Sequence, residues 1–228
     1  MRITWYGHAC FRLEGAGTHG PVTVVTDPYT PAKAGYPPVR EKADVVITSS
    51  VTDDYHARHD LIPGGHAHVD ALALADRGGR DRCNGLVIEA VPAAEAVLHP
   101  SGHPDRCAMY AITLDGCRVV HMGDVGNPLD GRQRDLLRDT DVLLALAGGF
   151  PTIALADLHE AIADTRPRLV IPMHFRTLTY RPRNTLWIES FLSLFDEGAV
   201  DFACAPSVEV TKDDLPEPTR VMVLDYVR

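Results

Sequence analysis

Apolar and polar positions alternate from Ile3 to Tyr6 and again from Cys10 to Glu14, with Gly7-His8 between them, and Val22 to Thr26 follows after a Gly-rich turn. A period of two sends successive side chains to opposite faces of a strand, so the chain is predicted to open with antiparallel β structure. A Pro-rich stretch (Pro28, Pro31, Pro37, Pro38) comes next, then the apolar run Asp44 to Ser49, which reads as a buried strand, then a polar, His-rich loop ending at Pro63-Gly64. Val69 to Ala75 predicts a short helix and Leu86 to Val91 a strand. Cys107 to Leu114 and Cys117 to His121 flank Asp115-Gly116, a strong hairpin signal.

After Gly126 the period changes. Arg132 to Arg138 and Ala154 to Asp164 predict helices, while Asp141 to Ala147 and Leu169 to Pro172 predict buried strands. Asn184 to Phe195 predicts a helix capped by Asn184 or Thr185, and Arg220 to Val227 a closing strand. A meander followed by β/α alternation implies two sheets sandwiched between helices, in one domain spanning 1–228.

Composition narrows the function classes. With 45% hydrophobic and 23% charged residues in 228, the chain is of ordinary globular type. Its 22 Lys+Arg against 31 Asp+Glu give a net charge of -9, and no basic cluster stands out, so nucleic acid is not an expected partner. No apolar run reaches the ~18 residues of a membrane span, so no membrane association and a cytoplasmic location are expected. Five cysteines without a C-x-x-C pair predict mostly buried, reduced thiols.

Four polar clusters lie at predicted strand ends: Ser49 to His59, Glu95 to His103, His121 to Asp124, and His174. Converging strand-end loops are how α/β enzymes assemble sites. The motifs, in order, are "ITWYGHACFRLE", "TDPY" (Thr26 to Tyr29), "VVHMGDVG" (Val119 to Gly126), "DVLLALAGGF" (Asp141 to Phe150) and "IPMHF" (Ile171 to Phe175). Together they resemble the metallo-β-lactamase fold superfamily, in particular the branch of the ascorbate phosphate lactonase and related metal-dependent hydrolases. The resemblance implies an α/β (α+β) fold, the four-layer αββα sandwich.

It also implies a metal site, from which this sequence departs. The superfamily's H-x-H-x-D-H loop falls on Ser50 to Tyr55, so Ser50, Thr52 and Tyr55 occupy the histidine positions and only Asp54 matches. Glu95 stands where the next His is expected, while Asp124 and His174 match. Ser and Thr hydroxyls are poor ligands for zinc, so the first of the two implied metal sites is expected to be lost. The second keeps Asp54, Asp124 and His174, with Tyr55 or neighbouring His56 as a fourth ligand and Glu95 nearby. The expectation is a single divalent ion in an oxygen-rich set, Zn, Mn, Fe or Mg. Three acids around one cavity would in any case require a neutralising charge.

On that reading Glu95 is the candidate general base, Asp124 the central ligand, and His56, His99 or His103 the proton donor in hydrolysis of a small ester, lactone or phosphoester. His8 and Asp27 match the superfamily's opening and are expected, with Ser50 and Thr52, to orient the ligands through hydrogen bonds. A relocated metal site among His56, His59, His66 and His68 is an alternative; His66-x-His68 otherwise reads as a solvated loop. Arg176, Arg181 and Arg183 could meet an anionic substrate at the pocket mouth but read first as solvated, and Gly148-Gly149 could cradle a phosphate but reads first as a turn. Two other functions stay open: a metal-free binder of a ligand or partner, in which the retained acids are paired or protonated, and lyase or isomerase chemistry by Glu95 and Tyr55.

Overall fold

The computed structural model describes residues 1–95 and 105–228. Strands β1 (Arg2–Gly7), β2 (Cys10–Gly17) and β3 (Gly20–Thr26) form the predicted antiparallel opening, and β4 (Val45–Thr48) and β5 (Ala67–Asp70) extend it in parallel. A second sheet begins as the meander β6 (Arg80–Cys83), β7 (Leu86–Ala94), β8 (Arg106–Leu114) and β9 (Cys117–His121). It continues in parallel through β10 (Val142–Leu146) and β11 (Leu169–Met173). Near the C-terminus come β12 (Val200–Phe202), β13 (Ser207–Glu209) and β14 (Arg220–Val223). The strand orders are β13-β1-β2-β3-β4-β5 and β12-β14-β11-β10-β9-β8-β7-β6.

The two sheets share one core. Ile3, Trp5, Phe11, Leu13, Val24, Val45 and Ile47 meet Ile88, Ala108, Tyr110, Ile112 and Val119 of the second sheet. The period of two sends Tyr6, Cys10, Val25 and Val46 to the opposite face of the first sheet, where Tyr29, Tyr36, Val39, Ile62 and Tyr180 cover them. Helices α1 (Pro31–Ala34), α2 (Ala71–Asp76), α3 (Gly131–Leu136), α4 (Leu155–Thr165) and α5 (Ile188–Leu192) complete an αββα sandwich. Asp115 and Gly116 both have positive φ, 49° and 73°, the geometry of a two-residue type I′ hairpin turn. Among the described residues no helix is long and apolar enough to cross a membrane. All five cysteines are free thiols, with Cys10, Cys107 and Cys117 buried, Cys83 half-buried and Cys204 exposed.

Two local expectations change. The helix predicted from Asn184 to Phe195 is confined to Ile188–Leu192. Residues 185–187 stay extended because the Leu186 N–H donates to Gly148 O (2.8 Å) and the Arg176 N–H to Leu186 O (2.8 Å), tertiary bonds that a helix would forfeit. His68 of the His66-x-His68 segment lies in the edge strand β5, which His66 directly precedes, and not in a solvated loop. Asp70 then caps α2, its side chain accepting from the Ala73 N–H at 2.9 Å, so that helix begins at Ala71 and not at Val69.

Candidate metal centre

The ends of β1, β3, β4, β9 and β11 gather at one edge of the sandwich, and each delivers a polar side chain there. His8 lies in the β1–β2 turn, Asp27 directly after β3, Ser49 after β4 with His56 further along the same loop, Asp124 after β9 and His174 directly after β11. His8, Asp27 and His174 have positive φ of 54°, 38° and 60°. Non-glycine residues in that region are uncommon and gather at functional sites. The His8 carbonyl accepts from Trp5 Nε1 (3.0 Å) and the His174 N–H (3.1 Å), which locks these two turns together.

Asp27 is fully buried and accepts three hydrogen bonds: Ser49 N–H (2.7 Å), Ser49 Oγ (2.6 Å) and His56 Nδ1 (2.8 Å). With the proton fixed on Nδ1, His56 turns Nε2 toward Asp124 Oδ2 at 3.3 Å. On the other side His174 Nε2 lies 3.2 Å from Asp124 Oδ1. The His8 ring closes the group, its centroid 4.1 Å from that of His174 and 4.7 Å from that of His56. One ring nitrogen from each of His8, His56 and His174 falls within 4.8 Å of the others.

Electrostatics couples these groups. Burial, then the neighbouring His174 and His56, push His8 well below the ordinary imidazole pKa, so it is neutral. Burial would also push His56 down, but the carboxylates of Asp124, Asp53 and Asp27 outweigh it and hold His56 well above its ordinary value. Asp124 is held well below the carboxylate range: burial opposes its charge, and His56 and His174 overcome that. Without another cation the centre is therefore a buried carboxylate paired with a protonated imidazole.

A divalent ion fits this group on the chain's own geometry. His8 Nδ1 and His174 Nδ1 are buried without a hydrogen-bond partner, which buried polar atoms rarely are, and His56 Nε2 and Asp124 Oδ1 have only the imidazole–carboxylate contacts within the group. Imidazoles and one carboxylate form a donor set suited to zinc, iron or manganese. Where the sequence implied an oxygen-rich set, the structure gathers three imidazoles, His8 among them, beside one carboxylate.

The expected ligand Asp54 is displaced from the centre. It accepts from Thr30 Oγ1 (2.8 Å) and Arg58 (3.2 Å) and pairs with Lys33. The Lys33 hydrogen bond, then that from Thr30, lowers its pKa to about 2. It thus ties the loop to α1 with its charge already matched. Asp53 faces the cavity in its place, and its Oδ1 accepts from the N–H groups of Tyr55 (2.6 Å) and His56 (2.8 Å). That turn projects His56 inward. Ser50 and Thr52 do not orient the ligands; their hydroxyls lie 3.2 Å apart and bond to each other.

Tyr55 and Glu95 line the cavity, of about 250 Å³, over His8, His56, Asp124 and His174. The lining also includes Tyr180, Asn184 and Thr185, none of which the sequence pattern marked as a site residue. Burial, then Asp124, push the Tyr180 phenol far up, so it stays protonated as a donor. His99 and His103 lie outside the described residues. His59 and His68 stack at 3.7 Å beside β5, His68 bonds Thr48 Oγ1 (2.9 Å), and with His66 they stay away from the cavity, so only His56 of that loop reaches the centre. His121 lies 2.8 Å from Ala9 O through Nε2, and its Nδ1 accepts the Gly123 N–H (2.9 Å), which fixes the turn carrying Asp124.

Comparison with known proteins bears on the family. Residues 2–174 match the model of the beta-lactamase superfamily domain. A UPF0173 metal-dependent hydrolase of Methanosphaerula palustris is 30% identical over 193 residues, which covers 78% of this chain and 84% of that protein. One from Archaeoglobus fulgidus is 27% identical over 202 residues, with the same coverage of 78% and 84%. Among solved structures, an inferred Zn-dependent hydrolase of the metallo-beta-lactamase superfamily from Thermotoga maritima superimposes with a TM-score of 0.75 at 30% identity, covering 99% of both chains.

Proposed function

The chain belongs to the beta-lactamase superfamily and, within it, to the UPF0173 metal-dependent hydrolases, and we propose that it hydrolyses a small molecule at a single divalent ion held by His8, His56, Asp124 and His174. The observation that carries this reading is the convergence of three buried imidazoles, one ring nitrogen of each within 4.8 Å of the others, beside the buried Asp124 carboxylate. When bound, such an ion polarises the electrophile and renders water nucleophilic near neutral pH.

The chain's own residues supply the rest. Asp27 holds His56 in one tautomer and one orientation, and His121 holds the turn of Asp124. Tyr180 offers a phenolic proton at the cavity wall, placed to receive charge that develops on the substrate oxygen. Glu95, directly after β7 on the cavity edge, is the proton acceptor.

The test is metal content by elemental analysis of protein purified without chelator, together with ester and lactone hydrolysis before and after chelation. The expected result is about one equivalent per chain, activity lost on chelation and restored by added ion, and both lost in Asp124→Asn. Protein that takes up no ion from Zn²⁺ or Mn²⁺, or activity indifferent to Asp124→Asn, would overturn the reading. Metal-free protein that still binds a small ligand would identify a binder.

A further inference from the structure

Two stretches of chain supply most of the cavity lining outside the centre itself. Asp53 and Tyr55 come from the loop after β4, and Tyr180, Asn184 and Thr185 from the segment 176–187 after β11. Both reach the same imidazole: the His8 ring centroid lies 5.6 Å from that of Tyr55 and 5.2 Å from that of Tyr180. The second segment closes on itself as an Ω-loop, since the Arg176 N–H donates to Leu186 O (2.8 Å) and the Arg176 guanidinium lies 4.8 Å from the Trp187 ring centroid. Among the described residues no hydrogen bond or ion pair joins the two stretches directly.

Residues 30–36, which carry α1, are bonded to both. On the first stretch, the Thr30 N–H donates to Asp54 O (2.7 Å), while Thr30 Oγ1 donates to Asp54 Oδ1 (2.8 Å) and accepts from Arg58 Nη1 (2.6 Å). Lys33 adds its ion pair with Asp54. On the second, the Arg181 N–H donates to Ala34 O (2.9 Å) and the Arg181 guanidinium to Ala32 O. Tyr36 Oη lies 3.0 Å from Thr177 Oγ1, which accepts the Tyr180 N–H at 3.1 Å, and the Tyr36 and Tyr180 rings stack with centroids 5.8 Å apart. The junction is tight. Gly35 has a φ of 94°, and a Cβ there would lie 2.2 Å from Thr179 O, so backbone rests on backbone with no side chain between.

We propose that residues 30–36 are a strap that fixes the two lining stretches relative to each other and thereby sets the size of the group the cavity admits, with Thr30 and Thr177 as the positioning residues at its two ends. Close-packed contacts transmit displacement, so a change at one end of the strap is felt at the other. Neither threonine lines the cavity, and each acts through the residues that do. The identity of what enters rests on the hydrolase reading; the coupling of the two stretches stands apart from it.

Amide hydrogen exchange on the protein as purified reads the coupling without turnover. Thr30→Val should speed exchange of the Tyr180 N–H, and Thr177→Val that of the Tyr55 and His56 N–H groups, each about threefold or more. Thr30→Ser and Thr177→Ser keep the hydroxyls and should match the wild type. Acceleration confined to the stretch bonded to the substituted residue, or serine variants as fast as the valine ones, would overturn the strap. Size selection is read by calorimetry of Zn²⁺-loaded protein with acetohydroxamate and octanohydroxamate, and by rates on p-nitrophenyl acetate to octanoate. A methylene beyond what a pocket accepts costs about tenfold or more, so the wild type should show such a fall at one chain length. Both valine variants should move or flatten that fall at unchanged metal content; a length preference identical to wild type in both would overturn the role in selection. Exchange and hydroxamate selectivity as stated with no ester hydrolysed removes the hydrolase and keeps the strap. Ester hydrolysis lost on chelation, with exchange confined and length preference unchanged, does the reverse.

Discussion

The Asp27 carboxylate accepts a 2.8 Å hydrogen bond from His56 Nδ1 while the opposite ring nitrogen faces Asp124. A buried residue directly after β3 thereby sets the chemistry of a loop residue that follows β4. In Asp27→Asn the amide can present either end to Nδ1, and the tautomer is no longer enforced. Metal affinity should fall by about 10- to 100-fold. Competition with a chromophoric chelator measures it, with circular dichroism to show that the fold persists; unchanged affinity would mean that Asp27 supports only the loop.

The ionisation of His56 makes metal uptake pH-dependent. His56 is held protonated in the cation-free protein, so binding a divalent ion at neutral pH should release about one proton. Calorimetry in buffers of different ionisation enthalpy counts it. Equal heats in phosphate and Tris would contradict the assignment.

Stability of the chelated protein should respond with the opposite sign at each side of a window. His56 has a raised pKa, so its contribution is complete below its unfolded value of ~6.5 and is lost as pH rises through the folded value. Asp124 has a depressed pKa, so its contribution is complete above ~3.9 and is lost as pH falls. The stability difference between wild type and His56→Gln should therefore be largest between these limits, as followed by urea unfolding. A difference that grew above pH 8 would have the wrong sign.

Asp54 and His56 make the sharpest contrast within one loop. Asp54→Asn removes a carboxylate bound to Lys33, Thr30 and Arg58 and should leave the metal content intact. His56→Gln should abolish stoichiometric binding. The reverse pattern in elemental analysis would restore Asp54 as a ligand.

Gly148 admits no side chain. A Cβ there would lie 2.1 Å from the His174 carbonyl oxygen. Gly148→Ala should destabilise by about 1–3 kcal/mol or more through overpacking and lower metal affinity by moving His174. Full metal content together with a wild-type Tm would show that the turn yields.

The sheets were legible because their signal is local. Alternation at Ile3 to Tyr6 and the Asp115-Gly116 turn each specify structure within a few residues. The centre was only half legible: Asp124 and His174 sit in recognisable strand-end motifs, and the Asp27 of the strand-end Asp-Pro lies beside them with its carboxylate on His56. In the loop, Asp54 turns outward and Asp53 faces the cavity, and spacing alone does not say which carboxylate the Lys33 and Arg58 side chains will take. Tyr180 carries no sequence signal of its own. Its position follows from packing over Tyr36, which no local pattern encodes.

The left-handed backbone at His8, Asp27 and His174 bears on how this centre can be lost. Each such residue carries local strain of about 1–2 kcal/mol that glycine would relieve. Drift toward glycine at these sites would relax the backbone while erasing the centre. A chain under selection for foldability alone would have a ready route to abandon His8, Asp27 and His174, and all three side chains are still in place.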